Sequence, residues 1–115
     1  MPERRILLVE DDRDLAPILE HVLLSEGYAV DVARNMAQAQ AHLDQQLYTL
    51  VIADLRLPDG DGLEIADHAA ETGLKTAIIS GYVHQLAPEI ADRHEVMAKP
   101  MRPAELIATV RRLIG

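Results

Sequence analysis

A chain of 115 residues can bury one core and is too short for two ordinary domains, so a single domain over residues 1–115 is expected. Its 49% apolar and 26% charged residues fit a folded globular protein, and the lack of cysteine excludes disulfides, thiolate metal sites and cysteine nucleophiles. The formal charge is −8, and the nine arginines and two lysines are scattered, which leaves no footprint for a phosphate backbone; direct nucleic-acid binding is not expected.

Near the start, only Ile6-Leu7-Leu8-Val9 separates Arg5 from Glu10-Asp11-Asp12, too short for a signal-peptide core or a membrane span. A cytoplasmic location is the expectation. The same aliphatic run suits a strand of a parallel sheet covered on both faces. Leu15, Ile18, Leu19, Val22 and Leu23 recur at helical spacing, with Gly27 as the stop; Pro17 requires that helix to begin just before it. Tyr28 to Ala33 predicts a second strand, and Asn35 with Gln38 forms a capping box for a helix burying Met36, Ala39, Leu43 and Leu47. Thr49 to Ala53 is a third strand that delivers Asp54 to its C-terminal end. The run from Leu55 to Gly62 is dense in turn residues, and a helix from about Leu63 to Thr72, closed by Gly73, follows. Thr76 to Ile79 is the fourth strand, ending at Ser80-Gly81. Val83 to His94 carries no clear pattern. Glu95 to Ala98 gives a weaker fifth strand leading into Lys99-Pro100. The last helix has Pro103 at its first position, Leu106, Ile107, Val110, Leu113 and Ile114 on one face, and Arg111-Arg112 in its final turn. Strands alternating with helices are the mark of βαβ units in an α/β fold.

Open parallel α/β sheets bind ligands beyond the carboxyl ends of their strands. Those ends carry Glu10-Asp11-Asp12, Asp54, Ser80 and Lys99, while Asp14 is expected to cap the first helix. Two carboxylates about 4 Å apart repel by roughly 4 kcal/mol at an effective dielectric of 20, so the cluster calls for a cation. With oxygen ligands and no thiol or convergent imidazole, Mg²⁺ suits it best. A carboxylate beside Mg²⁺ can attack phosphorus, and Asp54 is the best-placed candidate, with Lys99 to supply a second positive charge and Ser80 a hydroxyl. Taken singly, each of these has a plainer structural explanation: an acidic loop and helix cap, a turn-opening aspartate, a Ser-Gly turn, a solvated lysine. Their joint fall on successive strand ends carries the case.

Ile6-Leu7-Leu8-Val9-Glu10-Asp11-Asp12, Asp54-Leu55-Arg56-Leu57-Pro58-Asp59-Gly60-Asp61-Gly62, Ser80-Gly81 and Lys99-Pro100 together resemble the response-regulator receiver family along nearly the whole chain. The resemblance implies a doubly wound, five-stranded parallel sheet in the flavodoxin-like order 2-1-3-4-5. It implies phosphorylation on Asp54 and Mg²⁺ held chiefly by Asp11, Asp54 and the backbone carbonyl of Arg56. Glu10 would act through water, and Asp12 would join only if the alignment shifted by one residue. Ser80 would be the hydroxyl that turns toward the phosphoryl group, Lys99 the conserved cation, and Lys99-Pro100 a cis peptide. Two departures from the family stand out. The Ser80–Lys99 interval is short by about one helical turn, predicting a reduced fourth helix, and Val96 replaces the switching aromatic of many receivers. Tyr82 and Arg56 are candidates to influence access to the site, although an ordinary partly exposed tyrosine suits Tyr82 as well.

The expected function is therefore a signalling switch rather than an enzyme, one that the resemblance implies can assist its own phosphorylation and dephosphorylation. It would take phosphate from a sensor histidine kinase or histidine phosphotransfer protein and act on an unknown downstream protein. The sequence ending at Gly115 is expected to be a stand-alone receiver unless it is part of a longer protein. A phosphorylation-independent docking domain is the alternative, followed by a small Mg²⁺-dependent phosphohydrolase. Nucleotide binding is disfavoured, because no glycine-rich loop follows the first strand.

Overall fold

The aliphatic runs that alternate with helical patterns become a parallel sheet wrapped on both sides. The computed structural model describes residues 4–115; the first three positions of the expected 1–115 domain lie outside the described residues. In chain order the elements are β1 (Arg5–Val9), α1 (Leu15–Ser25), β2 (Ala29–Ala33), α2 (Met36–Gln45) and β3 (Leu50–Asp54). A small antiparallel ribbon, β4 (Arg56–Leu57) with β5 (Gly60–Asp61), precedes α3 (Gly62–Glu71) and β6 (Lys75–Ser80). A 3-10 turn (Val83–Gln85), α4 (Pro88–Arg93), β7 (Glu95–Ala98) and α5 (Pro103–Ile114) complete the chain.

The main sheet is parallel throughout, in the order β2-β1-β3-β6-β7. This is the expected 2-1-3-4-5 arrangement, with two numbers taken up by the ribbon. Alternate residues along each strand feed opposite layers, as a pleated strand requires. Ile6, Leu8, Leu50, Ile52, Ile79 and Met97 pack with Leu19 and Leu23 of α1 and Leu106 and Val110 of α5. Leu7, Val9, Val51 and Ala53 pack the other way, against Ala39 of α2 and Ile65 and Ala69 of α3. Each buried Val, Leu, Ile or Met side chain contributes about 1.5–3 kcal/mol, which explains why the central strands are apolar on both faces.

Local chemistry sets the helix ends. Pro17 is the third residue of α1, where its missing N–H costs no intrahelical bond. Gly27 and Gly73 adopt positive φ just past α1 and α3 and let the chain reverse. At α2 the capping box forms in modified shape: the Asn35 side chain accepts the Gln38 N–H at 2.8 Å, but the Gln38 side chain accepts the Arg34 N–H rather than that of Asn35.

Three expectations need correction. Asp14 makes no side-chain cap on α1; Asp12 does so, its Oδ1 accepting the N–H groups of Asp14 at 2.9 Å and Leu15 at 3.1 Å. Leu47 lies beyond the end of α2, in chain that has already turned extended, and is 89% exposed. Ile18 is 55% exposed, and the buried residues of α1 are Ala16, Leu19 and Leu23. The expected shortening of the fourth helix is real: α4 has 6 residues and only Ile90 buried.

Candidate functional site

The backbone ladder runs past the strand ends and fixes the residues that follow them. The Glu10 N–H donates to Ala33 O at 2.9 Å, Leu55 N–H to Ile79 O at 3.3 Å, and Lys99 N–H to Ser80 O at 2.9 Å. Glu10, Asp54, Ser80 and Lys99 are thereby held on one rim by the sheet itself. The Lys99-Pro100 peptide is cis. Behind Asp54, the loop folds back so closely that a Cβ on Gly62 would lie 1.9 Å from the Asp54 carbonyl oxygen. Only glycine permits that approach. Asp61 then caps α3 by accepting the Leu63 N–H at 2.8 Å.

Lys99 Nζ lies 2.6 Å from Asp54 Oδ2 and 2.9 Å from Glu10 Oε1. Asp54 Oδ1 accepts the Arg56 N–H at 3.1 Å, so both oxygens of this buried carboxylate are engaged. Carboxylate oxygens of Glu10, Asp11 and Asp54 lie within 4.8 Å of one another. Glu10 is fully buried, and its Oε1 is at ion-pair distance from Lys99 without an aligned hydrogen-bond donor. Burial, then the neighbouring Asp54 carboxyl, push the Glu10 pKa up to about 7, against the pull of Lys99. Partial burial works against the charged Lys99 ammonium, but Asp54 and Glu10 outweigh it and hold its pKa above the ordinary lysine value.

These residues fit a hard divalent cation. The donors are carboxylate oxygens, with no thiolate or imidazole among them, and they converge within 4.8 Å of one another. Asp12 is not in the converging trio, although it lines the adjoining cleft; its two backbone bonds at the α1 start hold its carboxyl below the usual range. The adjoining cleft has a volume of about 410 Å³ and is lined by Asp11, Asp54, Arg56, Ser80, Tyr82 and Lys99 among others. Ser80 is buried and its Oγ accepts the Tyr82 N–H at 2.9 Å. The Arg56 guanidinium sits over the Tyr82 ring, 4.0 Å from its centre, a cation–π contact at the edge of the cleft.

Glu10, Asp11, Asp54, Arg56, Ser80 and Lys99 thus converge. Sequence reasoning did not find two further arrangements. Asp59 Oδ1 accepts the Met36 N–H at 2.7 Å and Oδ2 accepts the Ala37 N–H at 3.2 Å, joining the loop after Asp54 to the start of α2. Buried His94 bonds through Nδ1 to the Thr76 hydroxyl and through Nε2 to Asp67 Oδ1 at 2.6 Å. Arg93 adds an ion pair to Asp67 at 3.2 Å. No local sequence pattern marks either, since the partners are far apart in the chain.

Residues 6–111 match the response regulator receiver domain family, and the chain belongs to that family. It is 30% identical to the response regulator receiver protein CpdR of Brucella abortus, over 96% of this chain and 97% of that protein. It is equally similar to the transcriptional regulatory protein DltR of Streptococcus agalactiae, but spans about half of that protein's length, 50%. Among solved structures, the Thermotoga maritima response regulator TrrA in complex with Mg²⁺-BeF superposes with a TM-score of 0.86 at 29% identity, covering 96% of this chain and 99% of that one. TrrA in complex with the histidine kinase ThkA superposes at 0.85, again at 29% identity, covering 97% of this chain and 99% of that one. The protein is a two-component receiver domain with a CheY-like fold. No helix among the described residues is long and apolar enough to cross a membrane.

Proposed function

We propose that residues 1–115 act as a phosphorylation-dependent signalling switch in the cytoplasm, accepting a phosphoryl group on Asp54 from a phosphohistidine of a sensor kinase or phosphotransfer protein. The observation that carries this reading is the Asp54 carboxylate, held 2.6 Å from the Lys99 ammonium and beside the carboxylates of Glu10 and Asp11. Asp11, Asp54 and the Arg56 backbone carbonyl would hold Mg²⁺, with Glu10 acting through water. When bound, Mg²⁺ supplies positive charge to the phosphoryl oxygens.

The chain's own residues do the rest. A carboxylate oxygen of Asp54 forms the new P–O bond as the P–N bond of the donor breaks, and the departing imidazole keeps the electron pair and takes a proton. Lys99 neutralises charge gathering on the phosphoryl oxygens, already fixed in place by its two carboxylate partners. Ser80 Oγ, now accepting from Tyr82 N–H, would turn to donate to a phosphoryl oxygen. The chain is a phosphoacceptor rather than an enzyme with its own turnover substrate.

Incubation with a small phosphodonor and Mg²⁺, followed by intact mass measurement, tests this. The expected result is a gain of one phosphoryl group that Asp54→Asn abolishes. No gain, or a gain retained by Asp54→Asn, rejects it. The short α4 and the half-buried Val96, packed with Ile78 and Ile90, favour a second reading, a docking domain that works without phosphate. Undiminished partner binding by Asp54→Asn, with amide spectra unmoved by a phosphate mimic, would select it.

A further inference from the structure

The loop that follows Asp54 is tied at both ends. At one end Gly62 rests against the Asp54 carbonyl, and the Arg56 N–H bonds to Asp54 Oδ1 at 3.1 Å. At the other, Asp59 reaches 23 positions back along the chain and accepts the first two amides of α2, from Met36 at 2.7 Å and Ala37 at 3.2 Å. Gly60, next to it, is packed so tightly on the same helix that an added Cβ would meet Met36 Sδ at 2.1 Å.

Helix α2 already has a local cap in Asn35, which accepts the Gln38 N–H at 2.8 Å. The helix therefore does not depend on Asp59 alone for its start. Asp59 is exposed, yet each of its oxygens is committed to a different amide, a geometry that fixes the direction of the loop as well as satisfying the helix. The Met36 N–H, opposed by burial and aided by the Ala37 N–H, keeps the Asp59 carboxyl below the usual range, so it is ionised at neutral pH. A negative charge at a helix N-terminus is also favoured by the helix dipole.

We infer that Asp59 is a positioning residue for the cation site: by clamping the 55–61 loop to α2 it holds the Arg56 backbone where its carbonyl can serve as a ligand. This rests on the proposed reading, in which the Arg56 carbonyl is one of the Mg²⁺ ligands. Asp59 lies outside the Glu10, Asp11 and Asp54 cluster that would hold the cation. Its effect passes through the ribbon in which Arg56 pairs with Asp61 and Leu57 with Gly60, directly flanking Asp59.

The test compares Asp59→Ala with Asn35→Ala. Both remove a capping acceptor from α2, but only Asp59 belongs to the loop. Mg²⁺ binding is measured by calorimetry without phosphodonor, alongside thermal unfolding in EDTA. We expect Asp59→Ala to weaken Mg²⁺ binding about tenfold and Asn35→Ala to change it less than about twofold, in line with the loss of an outer support of a metal ligand. Asp59→Asn, which keeps one acceptor oxygen for the Met36 amide, should recover part of the affinity, and it carries the test should Asp59→Ala fail to fold. Equal weakening by Asn35→Ala and Asp59→Ala would mean that α2 stability alone matters and would overturn the inference. So would Mg²⁺ affinity unchanged by Asp59→Ala in a protein that still gains phosphate on Asp54, a result that leaves the proposed function standing. A wild-type protein that neither binds Mg²⁺ nor gains mass would sink both.

Discussion

Replacing Glu10 by glutamine should make the metal-free protein more stable at alkaline pH, although it removes an ion-pair partner of Lys99. Glu10 is fully buried, and its pKa stands at about 7 in the folded protein against an ordinary 4.5. The folded state thus holds this proton more tightly than the unfolded chain does. Stability from the group is complete below 4.5 and is lost as pH rises through about 7. At about 1.4 kcal/mol per pH unit, the interval from 4.5 to about 7 corresponds to a loss of about 3 kcal/mol at pH 8. Glutamine mimics the protonated acid and escapes that loss. In EDTA at pH 8, Glu10→Gln should therefore be more stable by up to about 3 kcal/mol, on the order of 10 °C in Tm for a domain of this size. The advantage should vanish near pH 4.5, where wild-type Glu10 is protonated in the folded state. Urea unfolding at several pH values measures both quantities. Added Mg²⁺ at about a hundred times its Kd stabilises a binding-competent protein by about 2.7 kcal/mol, so it should narrow the gap by at most that amount, to the extent that wild type binds Mg²⁺ more tightly than the variant. A Glu10→Gln protein no more stable than wild type at pH 8 in EDTA would refute the assignment of Glu10 as an electrostatically unfavourable carboxylate.

Gly62→Ala places a methyl group 1.9 Å from the Asp54 carbonyl oxygen, so it should destabilise by about 1–3 kcal/mol and displace the loop; urea unfolding and the extent of phosphoryl gain would register both. Asp12→Ala removes the acceptor for two α1 amides and should cost about 1 kcal/mol of stability. Calorimetry should find its Mg²⁺ affinity nearly unchanged, because Asp12 lies outside the converging carboxylates; a large loss would return it to the ligand set. His94→Leu strands the buried Thr76 hydroxyl and should destabilise by about 1–3 kcal/mol, whereas adding Thr76→Val should restore part of that loss in unfolding experiments.

The strands were legible because a parallel sheet covered on both faces demands uninterrupted aliphatic runs, and Ile6–Val9, Leu50–Ala53 and Thr76–Ile79 supply them. Rim chemistry followed, since a strand's end fixes where the next residue emerges. Choices that hinge on backbone angles or distant partners were not legible. Asp12 and Asp14 are both well placed to cap α1, and only the turn geometry selects the first. Leu47 continues the apolar spacing of α2, but the chain leaves the helix after Gln45, so periodicity alone misplaces it. The Asp59 clamp and the Thr76–His94–Asp67 chain join residues 18 to 27 positions apart, beyond the reach of any local pattern. Pro88 at the head of α4 was the one signal available in the ambiguous Val83–His94 stretch.

The distribution of polar bonds explains how a strained cluster of acids can sit on so small a domain. A carboxylate group that repels itself would ordinarily push its supporting chain apart, and only a backbone held by other means resists that. Here the sheet ladder runs directly into Glu10, Leu55 and Lys99, while the Asp59 clamp and the Gly62 contact secure the loop between β3 and α3. The shortened α4, with only Ile90 buried, is fastened differently: His94 at its end bonds to Thr76 on β6 and Asp67 on α3. The flanking structure is thus anchored on both sides of the rim, and the unfavourable charge stays concentrated where a cation could relieve it. Destabilisation of the free domain by Glu10 and affinity for a cation are, on this geometry, two consequences of the same buried carboxylate.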